Sequence, residues 1–328
     1  MKLYRNLIPA AWLVVATIHS AQADFNYTGV YNRENGIGAA VRVSRNYPPH
    51  TEKVQGFSPN WTQVVEVGVG RLLYYNEQTG AAAMAEAALD GSMATTRRFA
   101  FSTGWSSITY HQGHVMFYNK ASGLAVVADF QSRSGELRQY PALYRFSTGW
   151  THIVSSQNAL VFYNAADGSG ATGGWTFSYG NCTGFCAPAD VRFQQQRSFA
   201  PGTFSLGWTH ILETGWGVMF YNSTNGLSVM TDVTPAGVIL TRSSTVRYLA
   251  SGWTSLSLTQ DCLLFYNKDT GDVAIGHITT RQELTPEAGH YSVDQLLPGY
   301  FSRGWTHIFN FTVKFDLGLG NFPWDVKH

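Results

Sequence analysis

The stretch that decides the fold reads Phe146-Ser-Thr-Gly-Trp-Thr-His-Ile153 and, a few residues later, Phe162-Tyr-Asn-Ala-Ala-Asp-Gly168. Both halves recur along the chain. The first half places its tryptophan at Trp61, Trp105, Trp150, Trp208, Trp253 and Trp305. The second half places its asparagine at Asn32, Asn76, Asn119, Asn164, Asn222 and Asn267. Such a period indicates an array of equal supersecondary units, each of which buries its apolar face only against its neighbours.

One repeat unit contains four β-prone runs separated by turn residues. Between Trp105 and Phe146 these runs begin at Trp105, Val115, Leu124 and Leu137. Four short strands in about 45 residues are the size of one propeller blade. We therefore predict an all-β fold, a six-bladed β-propeller with four-stranded blades.

The order of the half-repeats predicts how the ring closes. An asparagine turn at Asn32 precedes the first tryptophan signature, and no such turn follows the last signature at Trp305. The C-terminus should therefore supply the first strand of a blade whose later strands come from the N-terminus, which removes two exposed sheet edges. A degenerate strand at 313–316 keeps a seven-bladed ring as the alternative.

Two turn features should be structural. The residue before each repeated tryptophan is glycine, except at Asn60, and glycine and asparagine most readily adopt a left-handed backbone. We predict a tight bend there. The repeated asparagine should cap its own turn through its side chain, with a ligand contact as the alternative.

The chain ends and two long repeats suggest the domain organisation. Residues 1–23 combine Lys2 and Arg5, an apolar run too short for the roughly 20 residues of a spanning helix, and a small-residue cleavage site. We predict a signal peptide over 1–23, a single propeller domain over 24–328, and a secreted protein, extracellular or periplasmic. Insertions are expected at about 175–201 and 286–298, in loops on one face.

Charge argues against several partners. Charged residues make up 13% of the chain, about half of the usual share of roughly 25%. The formal net charge is +1, and no basic stripe is present to attract nucleic acid or an anionic membrane surface. We predict no nucleic-acid partner, no membrane span, no cofactor and no metal site.

The three cysteines have different expected roles. Cys182 and Cys186 are close enough in sequence for a local disulfide, which makes them a candidate pair in an oxidising compartment. Cys262 precedes an apolar strand and is expected to be a buried small hydrophobic residue.

The candidate binding residues follow from the repeat. Each repeated tryptophan either packs between neighbouring sheets or presents its face to a sugar ring. Two residues later, on the same face of the strand, the side chain is always polar. This position holds Gln63, Ser107, His152, His210, Ser255 and His307. It has a structural reading and a ligand-binding reading, and both remain open here.

Motifs for catalysis are scarce. The chain lacks the Gly-x-Ser-x-Gly and His-Glu-x-x-His motifs and any phosphate-cradling loop. The acids Glu66, Glu86, Asp129, Glu213 and Asp232 are scattered singly and are expected on the solvated surface. The protein is therefore expected to be a binding protein rather than an enzyme, although a site assembled from several blades would escape linear motifs.

Gly-Trp-Thr-His-Ile followed by Leu-x-Phe-Tyr-Asn-x-x-Thr-Gly resembles the repeats of secreted bacterial β-propellers, and is similar in style to tachylectin-type and bacterial propeller lectins. The resemblance implies sugar sites between blades, in contact with glycans or glycoconjugates. These sites would map to Trp105, Trp150, Trp208, Trp253 and Trp305, with His152, His210 and His307 nearby. The alternatives are a protein-interaction or toxin-associated propeller, and an extracellular hydrolase or lyase with a site at the channel mouth.

Overall fold

The computed structural model describes residues 24–131, 136–178, 190–214, 217–241, 246–259, 262–278 and 291–314. These residues form 25 strands in six antiparallel sheets, and none of them is helical. The six sheets are the six blades of a propeller, as predicted, and the seven-bladed alternative is wrong.

Blade 1 is composite and combines both ends of the described chain. Its strands are β1 (Asp24–Tyr31), β2 (Ile37–Arg42), β3 (His50–Gly56) and β25 (His307–Lys314). Blade 2 contains β4 (Gln63–Glu66), β5 (Arg71–Tyr75), β6 (Ala81–Ala87) and β7 (Met93–Ala100). Blade 3 contains β8 (Ser107–His111), β9 (His114–Tyr118), β10 (Leu124–Gln131) and β11 (Glu136–Arg145).

The remaining blades follow the same order. Blade 4 contains β12 (His152–Ser155), β13 (Leu160–Tyr163), β14 (Gly170–Ser178) and β15 (Asp190–Phe199). Blade 5 contains β16 (His210–Glu213), β17 (Gly217–Tyr221) and β18 (Leu227–Val233), with β19 (Ile239–Thr241) and β20 (Arg247–Tyr248) both paired to β18. Blade 6 contains β21 (Ser255–Thr259), β22 (Cys262–Tyr266), β23 (Val273–Ile278) and β24 (Tyr291–Leu297).

The innermost strands of the six blades form the ring around the channel. Each of β25, β4, β8, β12, β16 and β21 contacts the innermost strand of both neighbouring blades. Strand β25 pairs with β1 from Asp24↔Lys314 to Tyr31↔His307. The prediction that the C-terminus supplies the first strand of the N-terminal blade is confirmed, and Val313 belongs to this strand.

The bend before each tryptophan is left-handed, as predicted. The backbone φ is 69° at Asn60 and 84° at Gly104, and it lies between 82° and 86° at the other four positions. The repeated asparagines also cap their own turns. Asn76, for example, accepts hydrogen bonds from the backbone amides of Gln78 and Thr79 through its Oδ1, at 3.0 Å each. Both features fix how the chain enters a blade.

The repeated tyrosine ties the tryptophan loop to the preceding blade. The Tyr118 hydroxyl donates to the carbonyl of Ser147 at 2.7 Å and accepts from the backbone amide of Trp150 at 3.3 Å. The tyrosine at this repeat position is buried in all six blades: Tyr31, Tyr75, Tyr118, Tyr163, Tyr221 and Tyr266. Because each hydroxyl joins two consecutive blades, this residue holds the array in register as well as filling its core.

Several predictions fall partly or wholly beyond the described residues. The signal peptide (1–23) and the candidate disulfide Cys182–Cys186 lie outside them. The first predicted insertion includes the end of β14 and the whole of β15, and the second includes β24. Cys262 is buried, as predicted. Among the described residues there is no helix of the length and apolar character that a bilayer crossing requires.

Candidate functional site

Two cavities lie between blades. The closure pocket, between blades 6 and 1, has a volume of about 340 Å³ and is lined by Val30, Asn32, Asn35, Ile37, Ala39, Val41, Thr51, Val54, Tyr300, Phe301, Ser302, Arg303 and Trp305. The internal pocket, between blades 2 and 3, has a volume of about 490 Å³ and is lined by Ala100, Phe101, Ser102, Thr103, Trp105, Phe117, Asn119, Leu124, Val126, Ala128, Leu137, Gln139 and Leu143.

The two pockets occupy the same position in the repeat. In each, one wall is the Phe-Ser-x-Gly-Trp loop, and the other is formed by the second, third and outermost strands of the next blade. Phe301, Ser302, Trp305 and Asn32 of the closure pocket correspond to Phe101, Ser102, Trp105 and Asn119 of the internal pocket. The repeat therefore builds a recurring inter-blade cavity, which other blades fill or leave open.

The six repeated tryptophans differ in how much of their surface is exposed to solvent. Trp105 and Trp305 are half-buried and line the two pockets. The other four are buried, with between 6% and 9% of their surface exposed: Trp61, Trp150, Trp208 and Trp253. Of the five tryptophans predicted to contact sugars, the structure thus leaves two with a partly accessible indole and covers three.

The closure pocket lacks one aromatic ring that the other five blades place beside the repeated tryptophan. In five blades the residue before the repeated tyrosine is aromatic, and its ring centroid lies 5.6–6.1 Å from that of the tryptophan: Tyr74, Phe117, Phe162, Phe220 and Phe265. Blade 1 has Val30 at this position. The shorter side chain leaves Trp305 without that ring contact. This exception was visible in the sequence but was not used in the prediction.

Blade 4 illustrates how the cavity is filled elsewhere. Phe193 on β15 packs edge-on against Phe146 and Phe162, with ring centroids 4.8 and 5.7 Å away. At the closure pocket the outermost strand β3 supplies the smaller residues Thr51 and Val54. The side chains of the outermost strand therefore contribute to whether an inter-blade space stays open.

The polar side chains of the two pockets suit hydroxyl-rich ligands. Ser102, Thr103, Asn119 and Gln139 line the internal pocket, and Asn32, Asn35, Thr51, Ser302 and Arg303 line the closure pocket. Neither lining includes a carboxylate. Hydroxyl and amide groups can each donate and accept hydrogen bonds, so both pockets offer an aromatic face beside groups of mixed hydrogen-bonding capacity.

The predicted histidines lie elsewhere, at the start of the innermost strands. His152 Nε2 is 3.2 Å from the carbonyl of Thr209, and His210 Nε2 is 3.0 Å from that of Thr254. His307 Nε2 is 2.9 Å from the carbonyl of Thr62. Each histidine therefore bonds the next blade. Gln63 does the same with its Nε2 and the Trp105 carbonyl, at 2.8 Å.

The protonation of these histidines follows from their partners. A carbonyl can only accept, so Nε2 must carry the proton and Nδ1 of the neutral ring can accept from the adjacent threonine hydroxyl. For His152 this hydroxyl is Thr151 Oγ1, at 3.0 Å. Burial lowers the pKa of His152, His210 and His307. The geometry supports the structural reading of the position two residues after the tryptophan.

A polar chain crosses three innermost strands at the channel. The Ser155 hydroxyl lies 3.0 Å from His111 Nδ1 and also hydrogen-bonds Glu213. Glu213 is exposed, yet the surrounding protein desolvates it and raises its pKa to about 7. Burial lowers the pKa of His111 to about 4. Among the described residues, His111 Nε2 has no hydrogen-bond partner.

The acids expected on a simple solvated surface include three that make closer contact with the protein. Glu66 accepts a hydrogen bond from the backbone amide of Thr312 at 2.9 Å. Glu213 lies on β16, one of the innermost strands, and is desolvated although its surface is exposed. Asp129 pairs with Arg138 at 3.0 Å and accepts from the Tyr140 hydroxyl at 3.1 Å. In the described part of the chain, no three or more His, Cys, Asp or Glu side chains are arranged to hold a metal ion.

Comparison with known proteins identifies the fold. No protein-family model and no curated protein matches this sequence. A candidate 6-phosphogluconolactonase from Bacteroides fragilis has a TM-score of 0.53 and 9% identity, over 88% of this chain and 98% of that chain. The periplasmic gluconolactonase of Pseudomonas aeruginosa has a TM-score of 0.52 and 15% identity, over 88% and 86%.

A chain of a nidogen–laminin complex is also similar, with a TM-score of 0.50 and 10% identity over 88% of this chain and 98% of that chain. At these identities the similarity establishes the β-propeller fold, which hosts many unrelated functions. The resemblance to propeller lectins stays a prediction from the sequence. Function must therefore be argued from the pockets and the channel.

Proposed function

We propose that the protein binds saccharides at the closure and internal pockets, with one sugar ring against each accessible indole. One observation carries this proposal: the two half-buried tryptophans, Trp105 and Trp305, both line cavities at equivalent repeat positions. An exposed indole inside a cavity is available to a ligand, whereas the buried tryptophans are needed for packing.

Pocket size and chemistry support a small polar ligand. The volumes of about 340 and 490 Å³ fall within the range of roughly 300–1,000 Å³ that is typical of small-molecule sites. A sugar presents C–H groups to an aromatic face and hydroxyl groups to the polar rim. Two weak sites on one rigid ring would gain avidity for a branched or polymeric glycan. The predicted signal peptide favours an extracellular or periplasmic location, where such glycans are met.

The test is a titration with a panel of monosaccharides, in which binding is measured by intrinsic tryptophan fluorescence or by calorimetry. Trp105→Ala and Trp305→Ala should each remove one site, and the double variant should remove both. Tyr248→Ala, which removes a 77% exposed aromatic ring from blade 5, is the control and should bind like the wild type. Saccharide binding that survives in the double variant, or no binding by the wild type, would contradict the proposal.

A second candidate function is hydrolysis at the channel, and Glu213 favours it. A carboxyl with a pKa of about 7 can both donate and accept a proton near neutral pH, as a general acid or base must. One neighbour is named as a gluconolactonase and another as a candidate 6-phosphogluconolactonase, so sugar lactones are sensible first substrates. We expect Glu213→Gln to abolish lactone hydrolysis, while Glu34→Gln in an exposed turn retains it. Absence of hydrolysis by the wild type would reject this candidate.

A further inference from the structure

The closure pocket differs in charge from the internal pocket, which occupies the same position in the repeat. Arg303 occupies the variable position of the Phe-Ser-x-Gly-Trp loop, two residues before Trp305. The other five blades carry an uncharged residue there: Pro59, Thr103, Thr148, Leu206 and Ser251. Since Thr103 lines the internal pocket, the two pockets match in position but differ by one positive charge.

Hydrogen bonds position both Arg303 and a nearby acid, Asp272. Arg303 Nε donates to the carbonyl of Thr270 at 3.4 Å, and this bond does not use the two terminal nitrogens. The Asp272 carboxylate accepts from the backbone amide of Gly299 at 2.7 Å, and hydrogen bonds from Thr270 and Gly299, followed by the charge of Arg303, lower its pKa. The lining of the pocket itself contains no carboxylate.

We propose that the closure pocket takes an acidic saccharide, a uronic acid, with its ring against Trp305 and its carboxylate paired with Arg303. This inference rests on the proposed saccharide-binding function. A guanidinium matches a carboxylate with two parallel hydrogen bonds, which gives both strength and orientation. Asn35 and Thr51 line the same pocket and can bond the sugar hydroxyls. The internal pocket, with Thr103, should prefer neutral sugars.

The experiment isolates one pocket at a time and exchanges the deciding residue. In a Trp105→Ala background only the closure pocket remains, and in a Trp305→Ala background only the internal pocket remains. The probes are galacturonate against galactose and glucuronate against glucose, because each pair differs only in the carboxylate. Calorimetry at low salt gives the affinity ratio, and added salt should reduce it.

In the first background we expect the acidic sugar to bind about tenfold or more tightly than its neutral partner. Arg303→Thr should remove that preference and retain neutral binding, and threonine stands at this position in two other blades. In the second background Thr103→Arg should create the preference. Neutral binding without acidic preference overturns this inference and leaves the proposed function intact. No binding of any sugar by the wild type overturns both.

Discussion

At the scale of single residues, the repeated tryptophan has different roles in different blades of the ring. Trp208 is 6% exposed and lies 5.6 Å from the ring of Phe220, so it fills the core between two blades. Trp105 is half-buried and faces a cavity. Identical sequence signatures therefore do not imply identical roles, because the neighbouring blade decides how much of the indole is covered.

Alanine substitutions separate these roles. Trp208→Ala should lower the free energy of unfolding by about 3–5 kcal/mol, since it leaves a large cavity in a packed core. Trp105→Ala should cost clearly less, because part of its ring is already in contact with solvent. Denaturant unfolding followed by far-ultraviolet circular dichroism measures both. Equal losses for the two variants would show that Trp105 contributes as much to core packing as Trp208, which would contradict the two roles.

The three inter-blade histidines predict a pH dependence. Burial lowers their pKa in the folded protein below the value of about 6.5 that they have when unfolded. The unfolded chain therefore binds more protons at acidic pH. The stability that these groups contribute is complete above about pH 6.5 and is lost as the pH falls towards their folded values.

The matched variant replaces His152, His210 and His307 with glutamine, the residue that makes the same bond in blade 2 at Gln63. We expect the triple variant to lose less stability than the wild type between pH 7.5 and pH 5. His111 acts in the same direction and Glu213 in the opposite one, and both are retained, so the difference between the proteins is the readout. If the wild type and the triple variant lost the same free energy of unfolding between pH 7.5 and pH 5, this assignment would be wrong.

At the scale of strands and turns, a single side chain on β1 controls the closure pocket. Val30→Phe restores the aromatic residue that the other five blades have at this position. We expect acidic sugars to bind more weakly at the closure pocket, because the added ring takes up part of the cavity. Binding should not disappear, since the internal pocket stays open beside Phe117 at the equivalent position. Unfolding should show equal or higher stability, since an added aromatic pair contributes about 0.5–1.5 kcal/mol. Neutral-sugar binding at the internal pocket of the same protein is the control, and an unchanged affinity for acidic sugars would contradict the assignment.

The sequence was sufficient for the elements and insufficient for the pockets, for physical reasons. The left-handed bend at Asn60 and Gly104 and the cap at Asn76 depend on local backbone chemistry, which the repeat displays directly. Whether a pocket is open depends on side chains from separate strands, such as Val30 and Phe193. The setting of Glu213 depends on the whole ring, so no local pattern could reveal it.

At the scale of the molecule, β25 is the element that closes the ring. It pairs along all of β1 and contacts β4 and β21 in the neighbouring blades. A chain ending at Thr306 would expose the edge of β1 and lose the buried ring of Phe311, which stacks on Tyr27 at 5.3 Å. An exposed sheet edge of this kind is a template for an added strand.

We therefore expect the chain truncated after Thr306 to unfold at lower denaturant concentration and less cooperatively. A peptide of residues 307–328, added in trans, should restore the transition by strand addition. The same peptide with Phe309→Asp and Phe311→Asp is the control, because both phenylalanines are buried in the complete ring. Restoration by both peptides, or no effect of truncation, would show that β25 does not close the ring in the manner described.

The closure pocket has one wall from residues 30–54 and the other from residues 300–305, so it brings together parts of the chain that are far apart in sequence. During synthesis this cavity can be assembled only after all six blades up to Trp305 have been made, whereas the internal pocket needs only the second and third blades. If docking of the C-terminal strand strengthens ligand binding by some factor, then by thermodynamic reciprocity the bound ligand strengthens docking of that strand by the same factor. Occupancy of this one cavity would thus shift the equilibrium towards the closed ring.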